Sequence, residues 1–169
     1  MREPAEADVG AMSTPVKDIV YVTVLEAAQQ KGCMFCRLIS EKTRSYLDSL
    51  LYESVNNVGF RETWRKAMGF CHRHAWMLAE FGDAMGTGIL YLDLLQEWAG
   101  KLLTRPAGRE CPVCVLEQRN MQTYLSVAVW YWQDEDLHKA ITASEGLCGP
   151  HLRVVRDTVR RAEVLQTFA

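Results

Sequence analysis

The chain has 169 residues, 49% of them hydrophobic, and a formal charge of -2, which suits one ordinary domain or two small ones with a real core. So slight an acidity offers no field for a nucleic acid or an anionic membrane. No run approaches the ~18 apolar residues of a membrane span, and the acidic stretch Met1 to Met12 lacks the apolar centre of a secretory signal.

Residues 1–14 read as a mobile polar leader. Thr14-Pro15 predicts a helix start, since proline is tolerated at the first helical position. Val16 to Lys31 is β-branched enough for a strand, yet Val16, Ile19, Val20, Thr23, Val24 and Ala27 fall on one helical face, and a helix is expected. Residues 36–52 continue as a helix with Ile39, Leu47, Leu50 and Leu51 on a stripe. A short helix over 59–68 should stop at Gly69, and Cys71 should open the next. Phe81 to Ala84 is the expected joint.

The same order follows again. Gly86 to Leu103 is helical, with Tyr91, Leu94, Leu95, Trp98 and Leu102 on one face, and Pro106-Ala107-Gly108 is a loop. A long helix carries Met121, Leu125, Ala128, Val129 and Trp132; a short one over 135–144 ends at Gly146; Cys148 opens the last. The expected fold is all-α, built from two similar helical repeats of about four helices each, 15–82 and 83–169.

The repeat carries chemistry. Cys33, Cys36, Cys71 and His74 read C-x2-C-x34-C-x2-H; Cys111, Cys114, Cys148 and His151 read C-x2-C-x33-C-x2-H. All six cysteines lie in this frame. A shift of 78 also places Leu38 on Leu116, Tyr46 on Tyr124 and Leu47 on Leu125; a shift of 77 places Gly69 on Gly146. An internal duplication accounts for both registers. Three thiolates and an imidazole form a tetrahedral set for a thiophilic metal. Paired cysteines in a chain without a leader favour metal binding in a reducing cytoplasm over disulfides.

Pro112 after Cys111 and Pro150 before His151 agree with helix N-termini at the ligand pairs, where free N–H groups favour negative sulfur. Near-equal spacers favour one Cys3His site per repeat. An exchanged pairing, Cys33 and Cys36 with Cys148 and His151, stays open. Two zinc ions per chain are expected, because four ligands leave no open coordination position; a [4Fe-4S] cluster is the alternative.

His72 and His138 read as surface residues. The tryptophans, Trp130 and Trp132 among them, read as core or subunit interface. Arg153, Arg156, Arg160 and Arg161 read as a solvated face, with a nucleic-acid role disfavoured by the overall charge. No nucleophile–base pair or phosphate loop stands out.

Cys111-Pro-Val-Cys114 and Gly146-Leu-Cys148-Gly-Pro-His151 resemble an uncharacterised prokaryotic family with C-P-x-C and G-L-C-x-x-H motifs. Cys33-Met-Phe-Cys36 and Gly69-Phe-Cys71-His-Arg-His74 look like a diverged copy, so the resemblance spans most of residues 15–160. It implies the pairing of C-x2-C with C-x2-H and carries no activity. The expected role is a cytoplasmic structural-zinc interaction or adapter module with a protein partner or a second copy. The alternative is an iron–sulfur electron carrier or redox sensor.

Overall fold

The computed structural model describes residues 17–99 and 110–167, with side chains through Arg160, and these residues are all-helical. The leader, the Thr14-Pro15 start, Leu102 and the Pro106-Ala107-Gly108 loop lie outside the described residues, as does the side chain of Arg161.

Helix α1 (Ile19–Ala28) starts at Asp18, whose carboxylate accepts the N–H groups of Val20 and Tyr21 at 3.0 and 3.1 Å. The β-branched run is helical because that face buries Tyr21, Val24, Ala27 and Ala28. Helix α2 (Met34–Ser49) runs into a π-helical turn, Leu50–Ser54, which keeps Leu50 in the core. Asn57 caps α3 (Val58–Ala67) through the N–H of Phe60. That helix ends in two left-handed residues, Met68 at φ 61° and Gly69 at φ 86°. Glycine is required at 69 on a second count: a Cβ there would sit 2.9 Å from Leu94 Cδ2.

Helices α4 (His72–Ala79), α5 (Ala84–Ala99), α6 (Pro112–Trp130), α7 (Glu135–Ala143) and α8 (Gly149–Thr167) complete the described chain. Asp83 opens α5 by accepting the Gly86 N–H, and Asp134 caps α7 by accepting that of Leu137. Asp134 also accepts the Tyr21 hydroxyl and pairs with Lys17, which ties α1 to α7.

Two cores result. One gathers α1 and the first part of α2 (Phe35, Leu38) with the last part of α6 (Leu125, Ala128), Tyr131 and Leu137. The other gathers the last part of α2 (Leu47), Leu50, Trp64, Leu78, Leu90 and Leu94 with the start of α6 (Cys111, Val113). Helices α2 and α6 therefore run antiparallel, and each core draws residues from both sides of residue 82. Trp64 is the centrepiece of the second core: it is fully buried and its indole N–H donates to the Leu90 carbonyl at 3.1 Å.

Helix lengths set where the next element starts. Sixteen residues of α2 carry the chain about 24 Å, and ten residues of α3 return only about 15 Å. Helix α4 thus begins short of the start of α2, and its first turn lies beside the start of α6. The same holds for the long α6 and the nine-residue α7, which deliver α8 to the start of α2.

Candidate metal centres

Four helices begin at a cysteine. Cys33, Cys71 and Cys111 are the N-cap residues of α2, α4 and α6, and Cys148 directly precedes α8. In each case the carbonyl of that cysteine accepts the N–H four residues on: Arg37, Ala75, Val115 and Leu152. The second ligand of each pair, Cys36, His74, Cys114 or His151, follows three residues later, on the same face of the first turn. Two helix starts meet at each centre.

All eight expected ligands are brought together, but in a different partition from one site per repeat. Cys33 and Cys36 face Cys148 and His151; Cys71 and His74 face Cys111 and Cys114. The expectation that each repeat is pinned by its own Cys3His site is corrected here. The return legs α3 and α7 are too short to bring each C-x2-H pair back to its own C-x2-C pair, and they leave it beside that of the other half.

Within each group the donor atoms lie within 4.8 Å of one another. In the first, His151 Nδ1 stands 3.4, 3.3 and 3.2 Å from the sulfurs of Cys33, Cys36 and Cys148, and Cys36 Sγ is 3.5 Å from Cys148 Sγ. In the second, His74 Nδ1 stands 3.3, 3.5 and 3.5 Å from those of Cys71, Cys111 and Cys114, and Cys71 Sγ is 3.7 Å from Cys114 Sγ. Tetrahedral zinc with ordinary bond lengths sets its sulfur and nitrogen donors about 3.6–3.8 Å apart. The donors present fit one such ion in each group.

The protonation pattern points the same way. Partial desolvation of its sulfur raises the Cys36 thiol although the residue is exposed, and the neighbouring Cys148 and Cys33 raise it further, to about 12. Burial raises Cys33 as well, yet the backbone N–H groups of Cys148 and Cys36, with His151, outweigh it and bring Cys33 down to about 6. The second group repeats this. Burial, Cys71 and Cys111 push Cys114 up to about 12, while N–H groups from His74 and Arg73 and the thiols of Cys114 and Cys111 overcome burial and lower Cys71. Negative charge on neighbouring sulfurs this close is mutually unfavourable. A dication among them removes the conflict.

The two groups differ in their surroundings. His74 is fully buried, and its Nε2 lies 3.1 Å from Glu117 Oε1. Glu117 also accepts the hydroxyl of the buried Thr43 at 3.1 Å and pairs with Arg73. A carboxylate on the far nitrogen fixes the imidazole with Nδ1 towards the sulfurs. Glu117 is a functional residue that sequence reasoning missed, although it sits three residues beyond Cys114, on the same helical face. His151 meets the ring of Phe35 instead, at 5.8 Å between centroids, and Cys36 is exposed.

The other flagged residues stand apart from both groups. His72 lies edge-on to Trp76, and His138 edge-on to Trp132. Trp130 and Trp132 are both half exposed. Arg153, Arg156 and Arg160 are exposed on α8, with Arg156 paired to Asp157. Among the described residues no helix is long and apolar enough to cross a membrane.

The "Family of unknown function (DUF6062)" matches residues 12–107, which include Cys33, Cys36, Cys71 and His74. The "Uncharacterized 23.9 kDa protein in xynA 3'region" of Caldicellulosiruptor sp. (strain Rt8B.4) is 29% identical over 143 residues, covering 79% of this chain and 70% of that protein. No solved structure matches the chain. With more than half of its length matched, the chain belongs to the DUF6062 family of unknown function.

Proposed function

We propose that the protein binds two zinc ions, each closing a Cys3His centre, and that the ions are structural. Cys33, Cys36, Cys148 and His151 hold one; Cys71, His74, Cys111 and Cys114 hold the other. The observation that carries this reading is the double gathering of four soft donors at single-ion spacing on paired helix starts. Four protein ligands leave no coordination position for a substrate, so the ion supplies cross-linking rather than Lewis-acid chemistry.

The ions join the two halves of the chain, and the repeats 15–82 and 83–169 act as one body. The rigid helical surface so formed serves as an interaction module. Its exposed apolar residues, Leu92 and Leu95 on α5, Trp130 at the end of α6 and Trp132 just beyond it, suit a protein partner or a second copy of the chain. Six thiols kept as ligands suit a reducing cytoplasm.

The iron–sulfur alternative is less well supported. A four-iron cluster binds each ligand to a different iron and needs its sulfurs well apart, whereas these donors crowd to within 4.8 Å. Elemental analysis and a visible spectrum of anaerobically purified protein test the reading. Two zinc per chain without a visible band is the expected result. Iron and sulfide with broad visible absorption would overturn it in favour of redox chemistry.

A further inference from the structure

We propose that the two centres are not equivalent: Glu117 makes the Cys71/His74/Cys111/Cys114 centre a permanent staple, while the Cys33/Cys36/Cys148/His151 centre exchanges its metal with solution and latches α8. This rests on the reading that both centres bind zinc, and it assigns them different lifetimes.

Three observations carry it. The first is the network behind His74. Glu117 Oε1 lies 3.1 Å from His74 Nε2 and accepts from Thr43, which is itself fully buried, while Arg73 Nη2, paired with Glu117, stands 2.8 Å from the same ring nitrogen. Such outer partners hold a histidine in its ligating orientation, and their loss typically costs about 10–100-fold in metal affinity. The second is the counterpart position. The shift of 78 that places Cys36 on Cys114 places Ile39 on Glu117 and Thr43 on Met121. Ile39 can accept nothing from His151, and no carboxylate partner of His151 exists among the described residues. Glu117 is thus a positioning residue that one centre has and the other lacks.

The third is access. His74 and Cys111 are buried, whereas Cys36 is exposed and opens, with His151, onto a groove of about 450 Å³. A chelator or a competing thiol can reach this centre from the groove and displace its ligands stepwise. The other centre shows that groove Arg73 and Glu117, the outer side of its network.

The latch follows from how α8 is held. Cys148 and His151 fix its first turn. Beyond them Leu147 and Val155 touch the first core, while Leu152, Val154 and Val159 remain exposed. An apolar gap of about 390 Å³ separates α8 from Phe35, Ala128 and Trp132. Loss of this one ion frees the helix start and uncovers Met34, Phe35 and Leu125.

The test is the release of zinc from the loaded full chain to an excess of a chromophoric chelator, followed over time. The expected record is one equivalent released quickly and one at least about 10-fold more slowly. E117Q should bring the slow phase towards the fast one, and I39E should slow the fast phase. C148S should abolish the fast phase alone, which assigns it without touching the Glu117 network. Two equivalents leaving in one phase would overturn the inequivalence and leave structural zinc standing. A slow phase that C148S removes would overturn the assignment. A purified chain with no zinc to release would overturn both this inference and the zinc reading beneath it.

Discussion

Replacing Cys33 by serine tests the exchanged ligand partition from the far end of the chain. Cys33 shares its donor group with Cys148 and His151, more than a hundred residues away, and not with Cys71 or His74. The single variants C33S and C148S should each fall from two bound zinc ions to one. The double variant C33S/C148S should still hold one, because both changes strike the same centre, whereas C33S/C111S should hold none. At free zinc about 100-fold above its dissociation constant, one bound ion stabilises the fold by about 2.7 kcal/mol. For a chain of this size that corresponds to roughly 5–11 °C in melting temperature. Hydrogen exchange adds the location: C33S should expose amides in α8 and leave α4 protected. Elemental analysis of the four variants decides the matter. A metal-free C33S/C148S, or protection lost in α4 rather than α8, would refute the partition.

Two further outcomes are expected. Gly69→Ala meets both a left-handed backbone and Leu94 at 2.9 Å, while Gly146→Ala meets the same φ of 86° in open space. Denaturant melts should show G69A losing roughly 2–5 kcal/mol, strain and overpacking together, and G146A roughly 1–2. Asp93 is held below its ordinary 3.8 by a hydrogen bond from Arg61 at 2.5 Å, with Arg65 beside it. Its contribution is therefore full above that ordinary value and fades as pH falls through the lower folded value. Urea midpoints of the native chain and D93N should differ at pH 6 and converge towards pH 3.

Much of the helical pattern was legible because its signals are local. Gly69 stops one helix, Pro112 starts another, and the apolar face of 19–28 outweighs its β-branched residues, whereas α7 ends at Ala143, three residues before the expected stop at Gly146. That the eight candidate ligands would gather was legible because thiols and imidazoles at C-x2-C and C-x2-H spacing have few other uses. Their partition was not, since spacers of 34 and 33 residues allow either closure. It is decided by the difference in length between α2 and α3, and between α6 and α7, which the sequence shows only to about a turn. Glu117 escaped notice because a lone carboxylate on a helix is ordinary; set beside Ile39 in the other half, it is not. That Trp130 and Trp132 are both half exposed depends on α6 ending between them, at the level of a single residue.

The ligand partition also has a temporal side. With zinc bound as proposed, the centre at 71–114 would close within the loop of the centre at 33–151, so one ring would be nested inside the other. During synthesis the inner ring is complete once Cys114 has emerged, whereas Cys33 and Cys36 must wait for the last helix. The outer loop is about three times longer, which adds about 1 kcal/mol of closure entropy and places it second in refolding as well. In that interval Cys33 and Cys36 compete with Cys111 and Cys114 for Cys71 and His74. On the zinc reading, a ribosome-bound intermediate ligated within its first half would be the misfolded species this topology must avoid, and early closure of the buried, carboxylate-backed centre would limit its lifetime.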